Sequence, residues 1–145
     1  MFYQEKSIYV SLISTLLVFG YYLISVFQMV QADSLTSESV ISLTITIIVL
    51  MIIVNIISHI VFNIVNRMAS KELEPGFTDE LDKLIDLKAT RNSHMLLMAA
   101  FMLTILGSSF IDISMLVMFI LFFVYLMTSC IFGEISKLYL YRKGL

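Results

Sequence analysis

The chain has 145 residues, 59% of them hydrophobic, with 9 Lys and Arg against 11 Asp and Glu for a net charge of -2, and its mean hydropathy is +0.96. A soluble domain of this size is usually about 45–50% apolar, so the composition excludes one and points to an integral membrane protein whose first partner is the lipid bilayer. With a slightly acidic balance, no basic tail and no interleaving of aromatic and basic residues, nucleic acid is not an expected partner.

Residues 1–6 form a short polar lead, and 7–30 follow without a charge. A helix of that length crosses about 30 Å of hydrocarbon, which makes 7–30 the first predicted span. It lacks the small-residue cleavage pattern of a secretory leader and is read as retained. Residues 31–39 are a polar turn that holds Asp33 and Glu38 and no base. The second span, 40–65, is rich in Ile and Val, yet in lipid it must be helical because an open strand edge cannot be satisfied there.

The stretch 66–92 is the only long polar segment. Glu74, Pro75 and Gly76 break any helix that leaves the second span, since proline lacks an N–H and disfavours helical geometry in the residue before it. A new helix then starts with Thr78 placed as its N-cap. Asp79, Glu80 and Asp82 at its head and Lys88 and Arg91 toward its end complement the helix dipole. Leu81, Leu84, Ile85 and Lys88 share one side by helical spacing, and Asp79 and Lys83 pair at i,i+4 on another. No proline or glycine intervenes before Gly107, so this helix is expected to run unbroken from the cytoplasmic segment 66–94 into the third span, 95–111. Asp112 marks a tight outer turn, and the fourth span is 115–138.

Orientation follows from the bases. Lys6 precedes the first span; Arg67, Lys71, Lys83, Lys88 and Arg91 lie in the centre; Lys137, Arg142 and Lys143 close the chain, and neither outer turn has any. This bias predicts a multi-pass protein of the inner (cytoplasmic) membrane with both termini cytoplasmic. Tyr3, Tyr9, Tyr139 and Tyr141 near the inner boundary fit an aromatic belt. The two halves each go out and back, but the likeness of 62–68 to 132–138 is no stronger than for any apolar helix that ends in a basic residue.

The run 79–91, D-E-L-D-K-L-I-D-L-K-A-T-R, resembles the D-E-R-D-x-x-I-x-x-K-A-x-R signature of a family of small bacterial four-helix membrane proteins of unknown function. The likeness covers these residues, with hydropathy alone agreeing elsewhere. Leu81 stands where that pattern has arginine, so no charge role carries over at this position. The resemblance implies the fold and a cytoplasmic rod, and no chemistry.

Asn55, His59 and Asn63, spaced by four, draw a polar stripe along the second span, flanked by Ser58 and Thr46. Such groups are costly in a bilayer and face protein or water. They read either as hydrogen-bonding contacts between helices or as the lining of a proton or cation path, with Glu134 the nearest acid for such a path. Ala100, Thr104 and Ser108, beside Gly107, make one small-residue face, and Ser7, Ser11 and Thr15 another, both suited to close helix contact. The 10 methionines read as adaptable filling and not a metal site, since no cluster of His or Cys accompanies them. The lone Cys130 can form no internal disulfide. No zinc-protease, phosphate-loop or nucleophile-elbow motif occurs, and His59 and His94 cannot be paired by spacing.

The sequence therefore predicts an all-α, four-helix transmembrane bundle, a single membrane domain over 1–145 with a cytoplasmic helical extension before the third span. No enzyme activity, cofactor or metal is expected, and a homo-oligomer, a dimer, is. The preferred function is regulation or anchoring of a cytoplasmic protein partner by Leu81, Leu84, Ile85 and Lys88. The alternative is a channel or proton/cation-linked transporter subunit lined by Asn55, His59, Asn63 and Glu134.

Overall fold

The predicted spans 7–30, 40–65 and 115–138, and the third as far as Ser108, are helical in the computed structural model, which describes residues 3–70 and 80–143. Helix α1 is Tyr3–Gln31, α2 is Ser37–Ser70, α3 is Glu80–Ser108 and α4 is Met115–Lys143, with no strand among the described residues. The expected break at Glu74, Pro75 and Gly76, the Thr78 cap and Asp79 lie outside the described residues.

Three helices, α1, α2 and α4, are long and apolar enough to cross a membrane. By the same measure α3 is not. It runs unbroken from Glu80, as the absence of proline and glycine requires, but its first half carries Asp82, Lys83, Asp86, Lys88 and Arg91. Its apolar half is also short, because the helix stops at Ser108 and not at residue 111.

The turns are built from local chemistry. Asp33 takes a left-handed conformation, φ 51°, which an aspartate tolerates better than most residues. Ser34 N then donates to Met29 O at 3.0 Å and Asp33 N to Val30 O at 3.3 Å, which satisfies the last carbonyls of α1. Thr36 caps α2: Ser39 N donates to Thr36 Oγ1 at 3.2 Å while Thr36 N donates back to Ser39 Oγ at 3.0 Å. Ser114 caps α4 through Val117 N at 3.3 Å.

α1 packs on α2 and on α4, and α4 packs on α3, while α2 barely touches α4 and makes no close backbone approach to α3 among the described residues. The order across the molecule is thus α2, α1, α4, α3, an open arrangement and not a closed ring. Its core, on the outer-turn side, comprises Val18 and Tyr22 of α1, Ile47 of α2, and Phe123 and Met127 of α4. The Tyr22 and Phe123 rings pack at a tilt of 55° with centroids 4.7 Å apart.

The charged half of α3 does not project alone as a rod. Ile85 and Ala89 are buried, and Asp82 and Asp86 bond to Tyr141 and Lys137 of α4. All four helices extend together at this end. At 34 residues and about 1.5 Å per residue, α2 alone is about 51 Å long.

Candidate functional site

Small and polar residues from all four helices gather around one cavity in the half of the molecule that carries the termini. Gly133 of α4 lets α3 approach until a Cβ placed on it would meet Ser93 Cβ at 3.3 Å. Ser93 and Ser129 then bond across the seam, and Asn92 Nδ2 donates to Ser136 Oγ at 2.9 Å. Alongside this seam lies a cavity of about 290 Å³. Ser11 and Thr15 reach it from α1, Met51 and Asn55 from α2, Thr90 and Ser93 from α3, and Cys130, Gly133, Glu134 and Lys137 from α4.

The charges of the site are coupled. Lys137 Nζ sits 3.0 Å from Asp86 Oδ1 on α3 and 3.6 Å from Glu134 Oε1 one turn back on α4. The Lys137 and Glu134 side chains are only 27% and 23% exposed, whereas Asp86 is 66% exposed. The Glu134 pair is therefore the less screened of the two. Toward the outer turns the apolar core begins, with Val18, Ile47 and Met127 one turn beyond Thr15, Met51 and Cys130.

Of the stripe predicted on α2, Asn55 lines this cavity together with Glu134 of α4, and Asn55 Nδ2 donates to its own helix at Met51 O, 2.9 Å away. Asn63 instead accepts a hydrogen bond from the Tyr3 hydroxyl of α1. Ser58 bonds to Ser14 at 3.0 Å, a further contact between α1 and α2. His59 is half-buried and outside the cavity lining.

The four residues expected to share one surface on α3 divide. Leu81 and Leu84 are each 45% exposed, Lys88 is half-buried, and Ile85 is turned inward at 1%. Leu87, not singled out by spacing, is the most open of the row at 69%.

The two expected small-residue faces both touch a neighbour, since Thr104 Oγ1 donates to the Tyr125 hydroxyl of α4 at 2.8 Å and Thr15 of α1 is buried. A Cβ on Gly107 would nevertheless meet nothing within 4 Å, so the closest approach of α3 to α4 is not there. The signal for the true seam was present in the sequence, as Ser129, Gly133 and Ser136 recur at helical spacing on α4. Among the described residues no three of His, Cys, Asp or Glu stand together as a metal site. Comparison of the chain with protein-family models, curated proteins and solved structures gives no match.

Proposed function

We propose that the chain is a non-enzymatic protein that crosses the cytoplasmic membrane four times, with both termini inside. Its output is a contact made by the polar half of α3, which regulates or anchors another protein. The three apolar helices and the confinement of Lys and Arg to one end support this orientation. α3 serves as the fourth crossing in this reading because it lies antiparallel to α4 along its length. Self-association as a dimer belongs to the same reading, with native mass in nanodiscs as its check.

The observation that carries the proposal is the division of α3 into two sides. Ile85 and Ala89 hold it to the body of the protein, and Leu81, Leu84 and Leu87 are left open on a segment otherwise rich in charge. An apolar row with a fixed backing is a preformed surface that association can cover without first ordering the helix. The test is a photo-crosslinking side chain placed at Leu84, at Leu87 and at the buried Ile85 in growing cells. Protein adducts from the first two and none from the third are expected. Adducts from none of them, or to lipid alone, remove the reading.

A second reading, the channel or proton/cation-linked transporter, is favoured by one observation, that Asn55 and Glu134 line the same cavity. The apolar core around Tyr22 and Phe123 lies between that cavity and the outer end, so a path has to pass it. Flux in proteoliposomes that is unchanged by His59→Leu and Glu134→Gln disposes of it.

A further inference from the structure

On α2, Thr44, Ile48, Met51 and Asn55 recur every three or four residues, and on α4 so do Phe122, Leu126, Cys130 and Glu134. Each set therefore lies on one helix face. Between these faces lie two hollows. The polar cavity of about 290 Å³ is one, and an apolar groove of about 440 Å³, running along α2 and α4 from Met127 to Phe119, is the other. Met51 lines both, so the two hollows adjoin at this side chain. The groove has a single polar lining residue, Thr44, and its hydroxyl is already bonded to Val40 O at 2.8 Å.

The depth of these hollows rests on the membrane orientation proposed above, and not on any partner of α3. A hydrocarbon core of about 30 Å takes about 20 helical residues. Counted inward from the outer ends of α1 and α4, Gln31 and Met115, they end near Ser11 and Ile135. Ser11, Glu134 and Lys137 thus stand at the inner headgroup level, and the groove runs from there past the midplane. From Gly133 to Phe119 the two hollows together extend about 21 Å at about 1.5 Å per residue, enough for the roughly 15 Å depth of one leaflet. They are polar at the membrane surface and apolar inward, as an inner-leaflet lipid is. α2 and α3 make no close backbone approach among the described residues, although both line the cavity.

Charge narrows the occupant. Glu134 and Lys137 offer opposite charges, and Asp86 adds a second carboxylate on Lys137. A simple anion would meet two carboxylates for one ammonium, whereas a zwitterion can give its own ammonium to Glu134 and its phosphate to Lys137. A primary ammonium donates hydrogen bonds to a carboxylate; a quaternary choline has none to give. We propose that the adjoining hollows between α2 and α4 hold one inner-leaflet aminophospholipid, its phosphoethanolamine headgroup in the polar cavity and one acyl chain in the apolar groove.

The chain contains no tryptophan, so Phe123→Trp in the full-length protein, at a groove position only 7% exposed, reports from the groove. Leu17→Trp, at a position of α1 that is 69% exposed and lines neither hollow, reports bulk lipid. In phosphatidylcholine nanodiscs with a minor fraction of phosphatidylethanolamine, bromines on the ethanolamine lipid are expected to quench the groove tryptophan far beyond its mole fraction. The Leu17 position should follow the mole fraction. Glu134→Gln keeps the side-chain shape and leaves Lys137 with Asp86, and it should weaken the preference at least about tenfold, as loss of a charged hydrogen bond does. Ile48→Phe, which fills the groove and leaves the ion pair intact, should do the same. Groove quenching that follows the mole fraction alone, as bulk lipid or a second copy over the hollows would give, overturns the proposal. Displacement by soluble phosphoethanolamine at comparable concentration, indifferent to Ile48→Phe, overturns it too and reassigns the cavity to a soluble ligand.

Discussion

Ser93 of α3 and Ser129 of α4 bond reciprocally, each hydroxyl 2.8 Å from the other's backbone carbonyl. Two helices can exchange such bonds only where their backbones come close, and Gly133, one turn along α4, makes the approach possible. Gly133→Leu is therefore expected to part α3 from α4 and to cost about 1–3 kcal/mol as overpacking. Gly133→Ala, whose Cβ would stand 3.3 Å from Ser93 Cβ, should cost less. Thermal unfolding midpoints in one detergent check both, and a Gly133→Leu protein as stable as the parent would show that the seam is not where the fold is held.

The same seam ends in Lys137, whose two acidic partners differ in screening. Asp86→Asn removes a contact to a side chain that is 66% exposed and should change stability by less than about 1 kcal/mol. Lys137→Met removes the cation from beside the more sheltered Glu134, and the larger loss, with a stronger dependence on salt for the parent than for the variant, is expected there. Equal effects of the two substitutions in a salt series would contradict this ranking.

How much of this was legible beforehand depends on distance along the chain. The helices followed from charge-free runs, and the unbroken passage of α3 from Glu80 followed from the absence of proline and glycine. Their mutual arrangement did not. Spacing set Leu81, Leu84, Ile85 and Lys88 on one side of a helix, but which edge of that side meets α4 is decided by Asp86 reaching Lys137, 51 positions away, and Ile85 goes inward with it. The stripe on α2 divided for a similar reason. Asn63 is level with Tyr3 of α1 and bonds to it, while Asn55 is level with the cavity. The lack of close approach between α2 and α3 leaves no mark in either helix taken singly.

Tyr22 is fully buried against Phe123, and its hydroxyl makes no well-formed hydrogen bond, since the Thr44 hydroxyl beside it donates to Val40 O. A buried polar group left so costs about 1–3 kcal/mol. Tyr22→Phe keeps the ring contact and removes that cost, so it should raise the unfolding midpoint, whereas Tyr22→Ala should lower it by emptying the core. A lower midpoint for the phenylalanine variant would mean that the hydroxyl contributes a favourable contact.

Cap formation at the α1 to α2 turn is similarly open to test. Thr36 and Ser39 satisfy each other's backbone N–H groups, so Thr36→Ala is expected to cost about 1 kcal/mol, and Thr36→Ser to cost little. Proteolysis or hydrogen exchange at the head of α2 reads the fraying directly. Equal protection in all three proteins would show that the apolar length of α2 alone holds its start.

The proposed orientation makes the last prediction. Cys130 is the single cysteine, so a Cys130→Ser chain is a blank background for labelling. Ser37 and Asp112 are exposed and lie in or beside the two turns that hold no Lys or Arg; Arg67 is exposed near the far end of α2. With basic residues held inside, Ser37→Cys and Asp112→Cys should react with an impermeant maleimide in intact cells, and Arg67→Cys only after permeabilisation. Asp112 bears more weight than Ser37, because its side of the membrane depends on whether α3 crosses at all. The apolar half of α3, residues 95–108, is about 21 Å long at about 1.5 Å per residue, less than the roughly 30 Å of hydrocarbon, and it crosses only with its charged half entering the inner headgroup layer. There Lys88 and Arg91 can extend to the phosphates, and Asp86 is held by Lys137. If Ser37→Cys labels from outside and Asp112→Cys does not, α3 and α4 fail to cross as a pair and the four-span topology fails. Labelling of Arg67→Cys in intact cells reverses the orientation altogether.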